Sequence, residues 1–343
     1  MNKVTDWIKR HQIAAFFIIT FAITWGLGFS YDAVLKHGQF LLFPLLFIAT
    51  CGPALAGIII SAVLNTQPRQ GTRKAFWIAF FVAWVVSVLV CIANLKFIEQ
   101  IPISPKLVGL FTISIMPVPF VIASAFSRNP SLRSYLASLV HLRGVWGWAL
   151  LASVLMPALI LISIPVNNFL GRQPIASYRL PDLSLALIGL VIVKFLYQLF
   201  FFNATGEEVG WRGFALPRLQ VRTSPLIAAL NIGVFWTLWH FFYWQAEGKP
   251  VMTVDFWVEM YICHTLLSVF IVWLCNRAKG SILVAGITHA AVNTAQAFIP
   301  LQGIWGLILT WSVAALVMIL VDRMWKKLPS DHPAVFQAPT LDG

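Results

Sequence analysis

Three groups of polar and ionisable residues interrupt the apolar second half of the chain. They are Gly206-Glu207-Glu208-Val209-Gly210-Trp211-Arg212-Gly213, Trp236-Thr237-Leu238-Trp239-His240 and His289-Ala290-Ala291-Val292-Asn293. Ionisable side chains within long apolar runs are costly to bury, so they indicate a functional site by default. We therefore take these three groups as the candidate site and ask what chemistry their spacing allows.

Helical spacing distinguishes the two adjacent carboxylates. Glu208 and Arg212 are four residues apart with the acid first, an arrangement that favours an ion pair on one helix face. Glu207 lies about 100° further around an α-helix, so Arg212 need not neutralise it. The spacing predicts a structural pair at Glu208 and Arg212 and leaves the Glu207 carboxylate free to react.

The third group offers hydrogen-bond donors. His289 and Asn293 are four residues apart and share one helix face. An imidazole and an amide placed side by side can jointly donate hydrogen bonds to a developing negative charge. Together with a free carboxylate, this pattern would allow chemistry in which a negative charge develops.

The composition predicts the scaffold that positions these groups. Hydrophobic residues make up 59% of the 343 residues, charged residues make up 10%, and the mean hydropathy is +0.82. A soluble domain carries roughly 25% charged residues, so this chain could not cover a water-facing surface of its own size. We predict an all-α fold, a polytopic transmembrane helix bundle of about ten spans, with eight as the lower count.

Ten apolar runs approach the length of about 20 residues that a bilayer requires. They are 13–31, 40–64, 75–95, 107–126, 146–166, 183–203, 225–244, 256–274, 282–299 and 304–321. If the sixth helix ended at residue 203, Glu207 would lie at the membrane surface, far from His240. A helix over 194–219 instead places Glu207 roughly 18 Å into the membrane. We adopt this longer helix because it brings Glu207 near the depth of the two histidines.

Basic residues are distributed unevenly between the predicted loops. Of the 24 Lys and Arg residues, 17 lie on one side of a ten-span arrangement, 6 lie on the other, and Lys194 lies within a run. This bias predicts a multi-pass protein of the inner or plasma membrane with cytoplasmic N- and C-termini. The net charge of +12 therefore reflects orientation in the lipid bilayer. We predict no nucleic-acid partner, because no basic face or base-reading motif is present in the sequence.

The predicted spans divide the chain into three regions. Residues 1–180 hold five N-terminal spans, and residues 181–327 form the catalytic helical core that carries all three polar groups. The polar, proline-bearing composition of residues 328–343 predicts a disordered cytoplasmic tail.

The three groups, taken in order, resemble the motifs of the CPBP family of intramembrane proteases, also called the Abi family or the type II CAAX prenyl endopeptidases. That family's EExxxR, aromatic-xxxH and HxxxN motifs match Glu207-Glu208-xxx-Arg212, Trp236-xxx-His240 and His289-xxx-Asn293. Trp236 departs from the pattern quoted most often, which has Phe, but both are large aromatic residues. The resemblance covers residues 203–293 well, whereas the first five spans match only in character.

The resemblance implies a role for each matched residue. The implied catalytic residues are Glu207, His240, His289 and Asn293. The implied supporting residues are Glu208, Arg212 and Trp236. Glu207 would activate a water together with His240, and the other two catalytic residues would stabilise the oxyanion. The implied activity is that of an intramembrane endopeptidase.

Zinc stays open as a cofactor. A glutamate and two histidines, here Glu207, His240 and His289, resemble a zinc-binding set. The sequence contains no HExxH motif, and Asn293 would be a poor zinc ligand. The sequence therefore favours a metal-free glutamic peptidase, with a metallo-endopeptidase as the alternative.

Two functions of other classes also stay open. A transporter could use the buried acids and histidines as a proton relay, but it predicts inverted repeats with paired broken helices, which we do not find in the sequence. A non-catalytic immunity or scaffold protein of the same family is the other alternative, and the intact set of four residues argues against it. His264 lies in a predicted span but in no motif, and is predicted to be a core histidine.

The predicted substrate is a membrane-embedded or membrane-associated peptide or protein. The resemblance implies prenylated CAAX proteins as the eukaryotic substrate class. The chain itself looks prokaryotic, since no soluble domain accompanies the helices, and such substrates are not expected there. Peptide processing, bacteriocin immunity and membrane-protein turnover all stay open.

Overall fold

The computed structural model describes residues 3–170, 184–299 and 303–337. Within these ranges the chain forms helices and no strand, so the predicted all-α fold is confirmed. The predicted boundary at residue 180 and the last part of the predicted tail, 338–343, lie outside the described residues.

Seven helices of the described chain are long and apolar enough to cross a membrane. They are Gln12–Leu35, Arg73–Ile98, Pro105–Ser124, Trp146–Phe169, Leu185–Gln220, Pro225–Ala246 and Val254–Arg277. Each overlaps one of the predicted apolar runs. The structure is therefore the polytopic helix bundle that the composition predicts.

The predicted count of about ten spans is higher than the helix lengths support. Residues 40–64 form two helices, Phe40–Thr50 and Gly52–Leu64, which are bent by 55° and make at most one further span. The break coincides with Pro53, whose ring cannot continue the preceding helix. The last two predicted spans are helices of 17 residues, Ile282–Phe298 and Trp305–Val321, each only about 25 Å long. All ten runs are helical, but seven to eight of them have the length of a span.

The sixth span confirms the longer of the two predicted helices. It runs from Leu185 to Gln220, a length of 36 residues, and is called the glutamate helix below. Its central segment, Leu199–Ala215, is π-helical rather than α-helical. A π-helix bonds each N–H to the carbonyl five residues earlier, and such turns occur frequently at functional sites. The angle of 100° between neighbouring residues, which assumes an α-helix, therefore does not apply to Glu207 and Glu208.

Small residues let two other elements approach the π-helical segment closely. A Cβ at Gly210 would lie 2.4 Å from the carbonyl carbon of Pro53, so the bend in residues 40–64 packs directly against the glutamate helix. A Cβ at Gly286 would lie 2.6 Å from the Cβ of Ala204, where Ile282–Phe298 packs against the same helix. Small residues at such contacts are typical of membrane bundles, because they allow backbones to approach.

The described part of the C-terminal segment is packed, in contrast to the predicted disordered tail. The carbonyl of buried Ala334 accepts a hydrogen bond from Nε2 of Gln220 at 2.8 Å. The N–H of Phe336 donates to the carbonyl of Pro217 at 3.0 Å. The tail is polar on average, but its apolar residues 334–336 pack against the end of the glutamate helix.

Candidate active site

Four helices bring the three motifs together. They are the glutamate helix, Pro225–Ala246 (the tryptophan helix), Val254–Arg277, and Ile282–Phe298 (the histidine helix). The bundle therefore assembles residues that lie up to 86 positions apart, from Glu207 to Asn293, around one region of its interior.

Serine caps fix where two of these helices begin. Oγ of Ser224 accepts a hydrogen bond from the N–H of Ile227 at 3.4 Å, at the start of the tryptophan helix. Oγ of Ser281 accepts from the N–H of Val284 at 3.2 Å, at the start of the histidine helix. Serine is a preferred N-cap because it satisfies a backbone donor that the first turn leaves free. The caps thereby set how far along each helix the functional histidines lie.

Glu207 faces the indole of Trp236. Nε1 of Trp236 donates to Oε2 of Glu207 at 2.5 Å, and the two side chains are almost fully buried. A hydrogen bond to a carboxylate is shorter and stronger than one between neutral groups. Trp236 therefore orients Glu207 and occupies one of its oxygens, leaving Oε1 as a second acceptor.

Glu208 is the centre of a buried ionic network. Its Oε1 accepts hydrogen bonds from Nη1 of Arg212 and from Nδ1 of His289, both at 2.9 Å. Neither the Glu208 nor the Arg212 side chain has exposed surface. Nη2 of Arg212 also donates to Oγ of Ser268 at 3.2 Å. The structure thus forms the ion pair that the spacing predicts, and it adds His289 to that pair.

The same indole lies against three histidine rings. The centroid of the Trp236 ring is 5.8 Å from that of His240 and 4.9 Å from those of His264 and His289. Nδ1 of His240 bonds to the carbonyl of Trp236 at 2.8 Å, and Nδ1 of His264 bonds to the carbonyl of Met260 at 2.9 Å. A carbonyl only accepts, so Nδ1 carries the proton in both rings. In their neutral forms, both histidines therefore present Nε2 as an acceptor.

His264 is a member of this cluster that the motifs do not include. Its ring lies 5.0 Å from that of His240 and 5.2 Å from that of Trp244, and it is only partly buried. The prediction of an ordinary core histidine therefore misses its position beside the candidate site. The sequence does carry one signal: His264 is an ionisable residue within a predicted span. An ionisable residue at membrane depth is a functional candidate on that ground alone.

Asn293 faces a different partner from His289. Its Nδ2 donates to Oδ1 of Asn203 on the glutamate helix, at a long 3.4 Å. Asn203 is fully buried, and its own Nδ2 has no acceptor within the described part of the chain. Two amide groups therefore meet at this end of the cluster. Sequence analysis did not identify Asn203 as part of the site.

The ligand set predicted as the zinc alternative is not assembled. Within residues 3–170, 184–299 and 303–337, no three His, Cys, Asp or Glu side chains are arranged to hold a metal ion. Glu207 instead bonds to Trp236, and His289 bonds to Glu208. The described geometry does not fit zinc at Glu207, His240 and His289.

Comparison with known proteins shows which families this chain is similar to. Residues 188–295, which include all three motifs, match the family model described as "Type II CAAX prenyl endopeptidase Rce1-like". The chain is also 29% identical, over 205 residues, to CAAX prenyl protease 2 of Methanococcus maripaludis, covering 55% of this chain and 73% of that relative. Both matches support the resemblance to the CPBP, or CAAX protease, family that the motifs predict. The relative's name supports peptidase activity.

The CPBP match also agrees with the helix pattern. Several long apolar helices, together with the match to a family of membrane proteases, indicate a multi-pass membrane protein. The family model covers the tryptophan and Val254–Arg277 helices and most of the glutamate and histidine helices. The first spans of the chain lie outside the residues that the family model matches, in line with their weaker resemblance.

Proposed function

We propose that this protein is an intramembrane endopeptidase that hydrolyses a peptide bond in a membrane-associated peptide or protein. The named protease relative and the family match support the reaction class. The observation that carries the mechanism is the separation of two adjacent carboxylates: Arg212 pairs with Glu208, whereas Glu207 bonds to an uncharged indole. Among the residues that the structure describes, no cation donates a hydrogen bond to Glu207.

Glu207 is the proposed general base. Trp236 occupies its Oε2, so Oε1 can accept a proton from a water molecule. His240 has its Nδ1 committed to a backbone carbonyl and presents Nε2 as a second acceptor. A water that donates one hydrogen to each group keeps a lone pair for attack on the scissile carbonyl. In this proposal Glu207 takes the proton and His240 orients the water.

His289 and Asn293 are the proposed oxyanion donors. Because Nδ1 of His289 donates to Glu208, its Nε2 can donate only when the ring carries both protons. That imidazolium would keep its hydrogen bond to Glu208, whose carboxylate it shares with Arg212. Asn293 would supply an uncharged N–H donor. Donors aimed in advance at the developing charge lower the barrier, because they need no reorganisation during the reaction.

Purified variants test these assignments. Turnover of a lipidated or transmembrane peptide reporter should fall about 100-fold or more in His240→Ala, His289→Ala and Asn293→Ala. His141→Ala is the matched control, since His141 is exposed and its Nδ1 bonds to the carbonyl of Ala137 at the end of its own helix. Turnover close to wild type in the three site variants would contradict the proposal and favour a transporter or a scaffold.

Two further experiments test whether zinc is required and whether the substrate is prenylated. We expect thorough chelation, and subsequent addition of zinc, to leave turnover unchanged; loss and zinc-dependent recovery would establish a metallo-endopeptidase. Matched reporters with and without a prenyl group, cleaved side by side, would show whether the substrate class named for the relative extends to this protein.

A further inference from the structure

A second polar cluster lies in a part of the chain that the family match does not cover. A cavity of about 260 Å³ opens beside the start of Arg73–Ile98. Arg69, Arg73 and Arg128 line it together with the aromatic rings of Phe76 and Trp77. We call this cavity the arginine pocket. It shares no residue with the candidate active site.

The positive charge of the arginine pocket is not balanced by the protein. The sequence encodes no Asp or Glu between Asp32 and Glu99, or between Glu99 and Asp182. Among the described residues, none of the three arginines forms an ion pair. The Nε atom of Arg128 is also buried without an acceptor in the described chain. A buried donor without a partner is costly, so the pocket is suited to an anion supplied from outside the protein.

The position of the pocket indicates where that anion comes from. Arg73 is the first residue of a membrane-spanning helix, and Trp77 lies one turn further on with 50% of its surface exposed. Exposed tryptophans at helix ends are typical of the boundary between lipid tails and headgroups. The arginines therefore lie at the level of phosphate groups, while Phe76 and Trp77 lie toward the tails.

We propose that the arginine pocket binds the phosphate-bearing headgroup of an anionic phospholipid. Basic pockets between membrane helices recognise such headgroups. The volume is slightly below the 300–1,000 Å³ of sites that enclose whole small molecules, which suits a headgroup whose acyl chains stay in the bilayer. Membrane orientation explains basic residues in this loop. It does not explain their convergence on one cavity or the unpartnered Nε of Arg128.

Lipid retention by the full-length protein tests the proposal. The protein is purified in detergent, mixed with equal amounts of phosphatidylglycerol and phosphatidylcholine, and analysed by native mass spectrometry. Arg69→Gln/Arg73→Gln is the test variant, because both side chains are exposed and their loss should not unfold the protein. Lys74→Gln/Arg222→Gln is the control, because it removes the same charge from exposed residues that do not line the pocket.

We expect the wild type and the control to retain phosphatidylglycerol preferentially, and the test variant to lose that preference by roughly fivefold for each arginine removed. Equal retention of the two lipids by the wild type would overturn the proposal. An equal loss in the control variant would do so as well, because bulk charge would then explain the binding. A parallel arm with inorganic phosphate separates the two anion sources: binding of phosphate without retention of the lipid would contradict a headgroup site.

Discussion

The indole N–H of Trp236 donates to Oε2 of Glu207 at 2.5 Å, while the guanidinium of Arg212 lies over the same indole ring, 4.7 Å from its centroid. One side chain thus separates two carboxylates that are adjacent in sequence. The edge of the indole bonds to Glu207. Its face packs against Arg212, the cation that pairs with Glu208. These contacts predict that the site depends on an indole here, although the motif pattern quoted most often has Phe.

Trp236→Phe keeps a large aromatic ring but removes the donor to Glu207. We expect reporter turnover to fall about tenfold, because a hydrogen bond to a charged group contributes about 1.5–3 kcal/mol and this one orients the proposed base. Trp311→Phe is the matched control, since Trp311 is equally buried and its indole N–H has no acceptor within the described chain. Equal turnover in the two variants would show that ring size alone matters at position 236.

Glu208→Gln and Arg212→Ala should each destabilise the fold. Both side chains are fully buried, so removing one leaves the other charge unpaired at a cost of about 3–5 kcal/mol. Folded yield and thermal melting in detergent measure the effect. Arg277→Gln, which breaks the more exposed pair with Asp322, should cost only about 0–1 kcal/mol. Wild-type melting of both buried-site variants would contradict the structural role.

His264→Phe tests whether the third histidine does more than pack. Phenylalanine preserves a ring against Trp236 and His240 but removes the Nε2 acceptor. We expect about tenfold lower turnover with unchanged folded yield, because His264 would help to hold water at the cluster. Unchanged turnover would show that His264 only packs there.

The positive charge bias predicts that both termini face the cytoplasm. Eight spans or ten spans place the two termini on one side, whereas seven would separate them. We expect C-terminal fusions to be active with a reporter that works in the cytoplasm and inactive with one that requires export. Activity of the exported reporter at Gly343 would contradict the predicted orientation.

The sequence predicts the helices well because lipid exposure requires long apolar runs, and every predicted run is helical. It overestimates the span count because hydropathy does not register a bend such as that at Pro53 or the short length of Ile282–Phe298. It predicts the Glu208–Arg212 pair because that contact is local. It could not predict the π-helical segment Leu199–Ala215, because the spacing of 100° per residue assumes an α-helix.

Contacts between distant helices account for what sequence analysis missed at the site. Ser268 bonds to Arg212 from 56 residues away, and Asn203 bonds to Asn293 from 90 residues away. No helical or other periodic spacing in the sequence connects residues that lie so far apart. His264 was visible as an ionisable residue in a span, but its neighbours become evident only when the tryptophan helix packs against Val254–Arg277.

The central claim is that Glu207 is the general base, and turnover by purified Glu207→Gln tests it most directly. Glutamine retains the size of the side chain and an oxygen for the Trp236 N–H, but it cannot take a proton from water. Glu259→Gln, in Val254–Arg277, removes one charge outside the cluster and serves as the control. We predict that Glu207→Gln melts like the wild type and cleaves a lipidated or transmembrane reporter at least about 100-fold more slowly, while Glu259→Gln cleaves normally. Turnover by folded Glu207→Gln close to that of the wild type would contradict the account.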